Sequence, residues 1–338
     1  MTINPQLSFQ ALVASSPETG EIQTALQQLS LAELSPGEVT IRVHYSSVNY
    51  KDALAISPNN AVVKQYPLVP GIDLAGIVLA SEDPRFTNGD KVIVTGYGLG
   101  TSHSGGFSEL ARVPADWVTR LPAALTLQEA MMLGTAGLTA ALSLYQLELN
   151  GLTAVQGGQV LVTGASGGVG TLAIGILARA GYTVTAVTGK ADAHDRLARL
   201  GARQVIDRAE LLGSSSASPP ALGKQRWAGA IDPVGGPALA AIVSSLQYGA
   251  SVAVSGLTGG ASFSSTVFPF ILRGANVLGI DSVYCPAPLR ELLWERLAAV
   301  WKPAQLSQGC YEISLEQVPE VSRELLAGTH KGRAVVKL

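Results

Sequence analysis

The chain has 338 residues, 47% of them hydrophobic and 14% charged, with a formal net charge of -2, a size that suggests roughly two domains. So balanced a charge leaves no basic surplus for a phosphate backbone, which argues against nucleic acid as a partner. Cys285 and Cys310 are the only cysteines, too few for a disulfide scaffold or a thiolate metal cage, and they point to a reducing, cytoplasmic setting.

No basic residue precedes Arg42, so the N-terminal stretch does not read as a secretory or transit signal. Apolar stretches read as broken by glycine or charge short of a membrane span. Between 11 and 118, short β-branched runs at 38–45, 72–79 and 91–95 alternate with turn residues such as Pro36-Gly37 and Asn88-Gly89. Strands at this spacing predict a small, barrel-like β domain. Over 127–147 apolar residues recur every three or four positions around Gly134 and Gly137, which predicts helix and a domain junction near Ala130.

The stretch 159–170 organises the rest. The apolar run Gln159-Val160-Leu161-Val162 ends in Gly164-Ala165-Ser166-Gly167-Gly168-Val169-Gly170 and continues as an apolar segment to Arg179. That pattern predicts strand, tight turn and helix. A helix starting at such a turn aims its unpaired N–H groups and positive dipole end at whatever fills the turn, which suits a pyrophosphate. It matches the dinucleotide fingerprint with Ala165 in the first glycine place. Strand-like runs follow at 183–188, 204–207, 227–232, 251–255 and 276–280, with helical segments between them. The expected fold class is therefore α/β, a doubly wound parallel sheet joined to a β-rich domain. Residues 214–220 read as a polar surface loop. After Cys285 the pattern predicts a helix over 289–300, a strand at 311–313, a helix to Leu326 and a last strand over 334–337. This tail is expected to rejoin the first domain. The domains expected are 1–129 with 284–338, and 130–283.

A Rossmann site for NAD places an acid at the end of the second strand, on the ribose 2′-OH. Here that place holds Thr188-Gly189-Lys190. A hydroxyl, an amide and an ammonium favour a 2′-phosphate, hence NADPH, and Arg208 just past the third strand is a second cation for it. Ser166, Gly167, Gly168 and Val169 supply the pyrophosphate turn.

The sequence resembles the medium-chain dehydrogenase/reductase superfamily over essentially its whole length. The landmarks are Val48-Asn49-Tyr50-Lys51-Asp52, Gly71-Ile72-Asp73-Leu74-Ala75-Gly76, Gly105-Gly106-Phe107-Ser108-Glu109, Gly134-Thr135-Ala136-Gly137 and the glycine turn. Lys224-Gln225-Arg226-Trp227, Phe270-Ile271-Leu272-Arg273-Gly274 and Gly279-Ile280-Asp281-Ser282 look like its YhdH/YhfP-type quinone oxidoreductase branch, which includes NADPH-dependent acryloyl-CoA reductases. The resemblance implies a GroES-like catalytic domain and a Rossmann domain, with a cleft between them. It puts Tyr50 and Asn49 beside the nicotinamide as catalytic candidates, Tyr50 as the hydroxyl that orients or donates to substrate. It adds Leu257, Ile271 and Ser282 to the cofactor site and leaves Thr135, Thr139 and Arg333 as residues able to face it. Asp52 and Asp73 read as loop-bracing carboxylates. Zinc alcohol dehydrogenases of the superfamily carry Cys near Asn49–Asp52, His-Glu in the Gly71 turn and a four-cysteine lobe. This chain has none of these, so no metal site is expected.

Without a Lewis acid the compatible reaction is hydride entry at an already electrophilic carbon, a C=C conjugated to a carbonyl. Acryloyl-CoA is the acceptor the resemblance suggests. A quinone reductase and a catalytically silent NADPH-binding sensor are the alternatives. The superfamily also implies a homodimer joined through the sheet edge at 276–280, and no membrane partner is expected. Lys190→Ala is expected to weaken NADPH by about 1.5–3 kcal/mol, as for a charged hydrogen bond, and to leave NADH almost unchanged. Titration of both cofactors checks it, and equal losses would refute the assignment.

Overall fold

The computed structural model describes residues 7–16, 21–58, 62–154, 158–213 and 220–338. The polar loop read over 214–220 lies outside them, apart from Pro220. The fold divides into two compact units. One comprises Met1–Thr135, Val283–Glu295 and Gly309–Leu338, the other Ala136–Ser282 and Arg296–Gln308.

The first unit opens with an antiparallel ribbon, β1 (Ser8–Ser15) and β2 (Gln23–Ser30). Then come β3 (Val39–Ser47), the short helix α1 (Tyr50–Ala55), β4 (Asp73–Ser81), β5 (Lys91–Thr95), β6 (Leu110–Val113) and β7 (Val118–Arg120). β-branched residues build these strands because their side chains pack well on a pleated, half-buried surface. Val39, Ile41, Val43, Leu74, Val78, Val92 and Val94 turn inward to form a core. The helix α2 (Leu127–Leu149) follows. Gly134 interrupts it at φ 52 and ψ -157. The structure corrects one expectation here, since α2 is long and apolar enough by length and composition to cross a bilayer. Of its apolar window, however, 78% is buried inside the protein, as in the core helix of a globular fold.

The second unit carries β8 (Gln159–Val162), α3 (Gly168–Arg179), β9 (Thr183–Thr188), α4 (His194–Arg199), β10 (Ala202–Asp207) and α5 (Arg208–Leu212). It continues through β11 (Trp227–Asp232), α6 (Gly236–Ser245), β12 (Leu246–Val254), α7 (Phe268–Arg273) and β13 (Asn276–Gly279). All six strands are parallel, in the spatial order β10-β9-β8-β11-β12-β13. Counted from β8 that is the 3-2-1-4-5-6 order of a doubly wound dinucleotide fold, whose ligand crevice opens beyond the carboxyl ends of the strands beside the first one. Leu161, Trp227, Ala230, Ile242 and Val252 belong to its core.

The tail adds α8 (Ala287–Ala298), β14 (Cys310–Ile313), α9 (Val318–Ala327) and β15 (Arg333–Lys337). β15 pairs antiparallel with β3 and parallel with β14, so the first unit's sheet runs β14-β15-β3-β4-β5-β7 with β6 also on β3. Residues 296–308 sit with the second unit, whereas the sequence reading left them with the first. Arg296 explains the difference: its guanidinium lies 4.7 Å from the Trp301 ring and 5.3 Å from the Tyr145 ring, and 3.4 Å from Glu148. Pro303 packs where a Cβ on Gly175 would come within 2.9 Å of it.

Gly76 on β4 pairs with Val43 on β3, and a Cβ there would be 2.1 Å from the Arg42 carbonyl oxygen. That oxygen belongs to the backbone and cannot swing aside as the end of a flexible side chain would. Gly76→Ala is expected to cost about 2–3 kcal/mol by forced overpacking, read as a lower denaturant midpoint. A midpoint equal to wild type would show that the strands can part without penalty.

Candidate functional site

In the second unit β8 runs into the glycine turn, and α3 begins immediately after it. Gly164 takes φ 52, and Gly167 N donates to Gly164 O at 2.9 Å. A Cβ on Gly170 would lie 2.3 Å from the same oxygen; only glycine lets the helix start so close to the turn. The N-cap of α3 is Gly167, with no side-chain cap hydrogen bond. The first-turn amides of this 12-residue helix thus keep their donors for an anion.

The 2′-phosphate candidates gather beside this turn. Thr188 Oγ1 donates to Ser166 Oγ at 3.3 Å and accepts from Lys190 N at 3.1 Å. Arg208 opens α5, and its guanidinium lies against Gly189, where a Cβ would be 3.4 Å from Nη2. Ser166, Thr188, Gly189, Lys190 and Arg208 therefore form one polar cluster, with Gly167, Gly168 and Val169 continuing it into α3. Sequence reasoning missed Arg196 on α4, whose Nη2 reaches Ser166 O at 3.4 Å. A cation eight residues beyond Thr188, on the helix that follows the second strand, was the available signal. The three later candidates stand elsewhere in the unit. Leu257 follows β12 and is exposed, Ile271 is exposed on α7, and Ser282 is buried with its Oγ 2.7 Å from Thr139 Oγ1.

In the first unit the landmark residues build a buried polar network. Asp73 is fully buried. Its carboxylate accepts from Ser47 Oγ at 2.7 Å, Asn49 Nδ2 at 2.8 Å, and both the backbone N and Oγ1 of Thr135. Arg333 Nη2 stands 3.4 Å away. Arg333 also donates to Asn49 Oδ1 at 3.0 Å, Ser47 Oγ at 2.9 Å and Met132 O at 3.0 Å. Gly134 is required beside this pair, because a Cβ there would lie 2.2 Å from Arg333 Nη2 and 2.4 Å from Asp73 Oδ2. Both ends of the Asn49 amide are thus occupied within the unit, and Arg333 and Thr135 are occupied in holding Asp73.

Asp52 caps α1 from within: Asn49 N donates to Oδ2 at 2.7 Å and Ile72 N to Oδ1 at 2.8 Å. Burial, reinforced by the neighbouring Asp73 carboxylate, pushes the Asp52 carboxyl up to about 7 despite those donors. Tyr50 is the first residue of α1 and, at 47%, is the exposed residue of this group. His103 is a pinned loop residue, with Nε2 2.9 Å from Pro36 O and its ring edge-on to Trp117. Among the described residues no three His, Cys, Asp or Glu side chains come together as metal ligands. A further open groove of about 910 Å³ in this unit is lined by Arg85 and Arg120 beside Phe86, Tyr97 and Tyr284. Its two cations already pair with Asp83, Asp116 and Asp90, so it is not built to hold an anion.

Residues 35–123 match the alcohol dehydrogenase GroES-like domain family and residues 168–299 the family described as zinc-binding dehydrogenase. Acrylyl-CoA reductase AcuI of Ruegeria pomeroyi is 47% identical over 329 residues, spanning 97% of this chain and 98% of its own. The crystal structure of Bacillus subtilis protein yhfP with NAD bound is 49% identical, with a TM-score of 0.95 over 98% of this chain and all of that one. That of the yhdH oxidoreductase from Salmonella enterica in complex with NADP is 43% identical, with a TM-score of 0.93 over 97% and 99%.

Asp52 makes stability depend on pH with a defined sign. Its folded pKa lies above the unfolded value near 3.9, so its contribution is complete below about pH 4 and is lost as pH rises through about 7. Between pH 5 and pH 8 this group is expected to remove about 2–3 kcal/mol of unfolding free energy. In Asp52→Asn the amide adds a constant cost for the donor it turns on a backbone N–H, but the slope flattens. Denaturant unfolding at both pH values checks this, and an unchanged slope would reject it.

Proposed function

The chain belongs to the medium-chain dehydrogenase/reductase superfamily, in its YhdH/YhfP branch, with a GroES-like and a Rossmann unit, and on that footing we propose an NADPH-dependent, zinc-independent reductase of activated C=C bonds. The acceptor in this reading is acryloyl-CoA and the product propionyl-CoA. One observation carries the cofactor: β9 ends at Thr188 and is followed by Gly189-Lys190, with the Arg208 guanidinium against Gly189, where an NAD site would put a carboxylate. The acceptor rests on the end-to-end similarity to the Ruegeria pomeroyi acrylyl-CoA reductase.

The uncapped amides of α3 and the glycine turn fit a pyrophosphate, and the Thr188, Lys190 and Arg208 group fits a 2′-phosphate. When bound, NADPH supplies the hydride for the β-carbon of the alkene. The chain's share is to position the acceptor, exclude water and offer hydrogen bonds to the carbonyl oxygen as it gains enolate charge. Tyr50 is the residue for that last task, since its side chain is the accessible one. Asn49, with both ends of its amide held by Asp73 and Arg333, serves as a brace for α1 rather than as a proton carrier. Leu257, Ile271 and Ser282 remain candidates for the nicotinamide end.

A homodimer in a reducing cytoplasm belongs to the same reading. β13 is the outer strand of the parallel sheet, and Phe268, Leu272 and Val277 stand exposed on it and on α7, apolar surface that favours burial against a second copy. Cys285 and Cys310 are not joined in a disulfide.

Steady-state NADPH oxidation with acryloyl-CoA, crotonyl-CoA, a simple quinone and no acceptor tests the proposal. The expected order is acryloyl-CoA fastest and no acceptor at background. Turnover of the quinone alone would replace it with a quinone reductase, and NADPH binding without turnover of any acceptor would make the chain a silent sensor.

A further inference from the structure

The carboxyl ends of β11 and β12 run into two loops, 233–236 and 255–260, that meet backbone to backbone. Gly259 N donates to Val234 O at 2.7 Å and Ser255 N to Asp232 O at 3.0 Å, and Gly235 and Gly260 form a β-bridge. Side chains have no room at this junction. A Cβ on Gly235 would lie 2.7 Å from Gly260 O, one on Gly236 2.4 Å from Gly259 O, and one on Gly256 2.2 Å from Pro233 O. Gly235 and Gly236 also take φ values of 71 and 55, which suit glycine alone. The course of loop 255–260, with the exposed Leu257 in it, is therefore dictated by loop 233–236.

Loop 233–236 in turn hangs from one buried acid. Asp232 is fully buried. Its Oδ1 accepts from Thr163 Oγ1 and, at 3.1 Å, from Val234 N, and its Oδ2 accepts from Gly235 N at 3.1 Å. Thr163 directly follows β8 and donates its own N–H to Ile231 O at 3.1 Å, so the acid ties the strand that feeds the glycine turn to the loops beyond β11 and β12. A carboxylate suits this place because it is acceptor-only, and all three neighbours are donors. None of these contacts touches the Ser166, Thr188, Lys190 and Arg208 cluster.

We infer that Asp232 is a positioning residue for the nicotinamide-bearing half of the dinucleotide, acting through the glycine junction on loop 255–260, and that the adenosine half is held independently of it. The inference rests on the NADPH reading above. Asp232→Asn is nearly isosteric yet turns an NH₂ toward a donor, which frees one end of the loop.

The experiment compares NADPH with adenosine 2′,5′-bisphosphate, which carries the 2′-phosphate but no nicotinamide, by calorimetric titration of the whole protein. For Asp232→Asn, the NADPH Kd is expected to rise about tenfold, as for a lost hydrogen bond to a charged group, while the bisphosphate Kd stays within about twofold of wild type, since its contacts are untouched. Thr163→Val removes a single donor and keeps the carboxylate. It is expected to give the same selective pattern at about threefold, and it carries the test if the asparagine variant does not fold. Parallel weakening of both ligands, or no change in their Kd ratio in the folded variants, would overturn the inference. Wild-type protein that binds neither ligand would overturn the NADPH reading, and this inference with it. Wild-type binding with an unaltered ratio in the variants would sink only the latter.

Discussion

A fully buried carboxylate, Asp73, gathers four donor residues from three separate stretches of chain: Ser47 with Asn49, then Thr135, then Arg333. A buried charge is tolerated only when it is paired and hydrogen-bonded, and removing one partner costs far more than the pair itself contributes. That asymmetry makes the network a constraint on the rest of the first unit. It sets where α1 starts, demands glycine at 134, and anchors the last strand against β3. Tyr50 projects from a helix whose first turn is thus fixed at both ends, by Asp73 through Asn49 and by the Asp52 carboxyl beneath it.

The two units handle charge in opposite ways. In the first, Arg333, Asp73 and Asn49 satisfy one another, and nothing in that set is left over for a ligand. In the second, the helix dipole of α3 and the guanidinium against Gly189 are not answered by any acid at the end of β9. A surplus of donors at one helix terminus is an arrangement that an anion completes. The pyrophosphate of a dinucleotide fits that arrangement.

Much of this was legible in the sequence. The parallel strands β9, β11 and β13 begin at the positions that the β-branched runs indicated, because each run is short, apolar and bounded by turn residues. The glycine turn and the Thr188-Gly189-Lys190 end were equally plain, since both depend on neighbours a few positions apart. Long-range pairs had no such signature. Arg333 could be read as reaching a ligand, and only the fold shows it spent on Asp73 and Asn49. Arg196 escaped notice because its approach to Ser166 depends on how α4 returns to the sheet. The cluster of Glu148, Tyr145, Arg296 and Trp301 moved residues 296–308 into the second unit for the same reason. The regularity of α2 hid a break at Gly134, where the distant Arg333 and Asp73 side chains leave no room for a Cβ.

The order of segments along the chain has a consequence for biosynthesis. Asp73 emerges from the ribosome 260 residues ahead of the guanidinium that pairs with it, and the whole of the parallel sheet is translated in between. The earlier unit therefore waits, with an acid and the inner edge of β3 uncovered, while the later one is already able to collapse. A nick anywhere in the second unit would divide between two fragments the halves of one ion pair, and each fragment would carry away a part of the first unit that cannot close without the other.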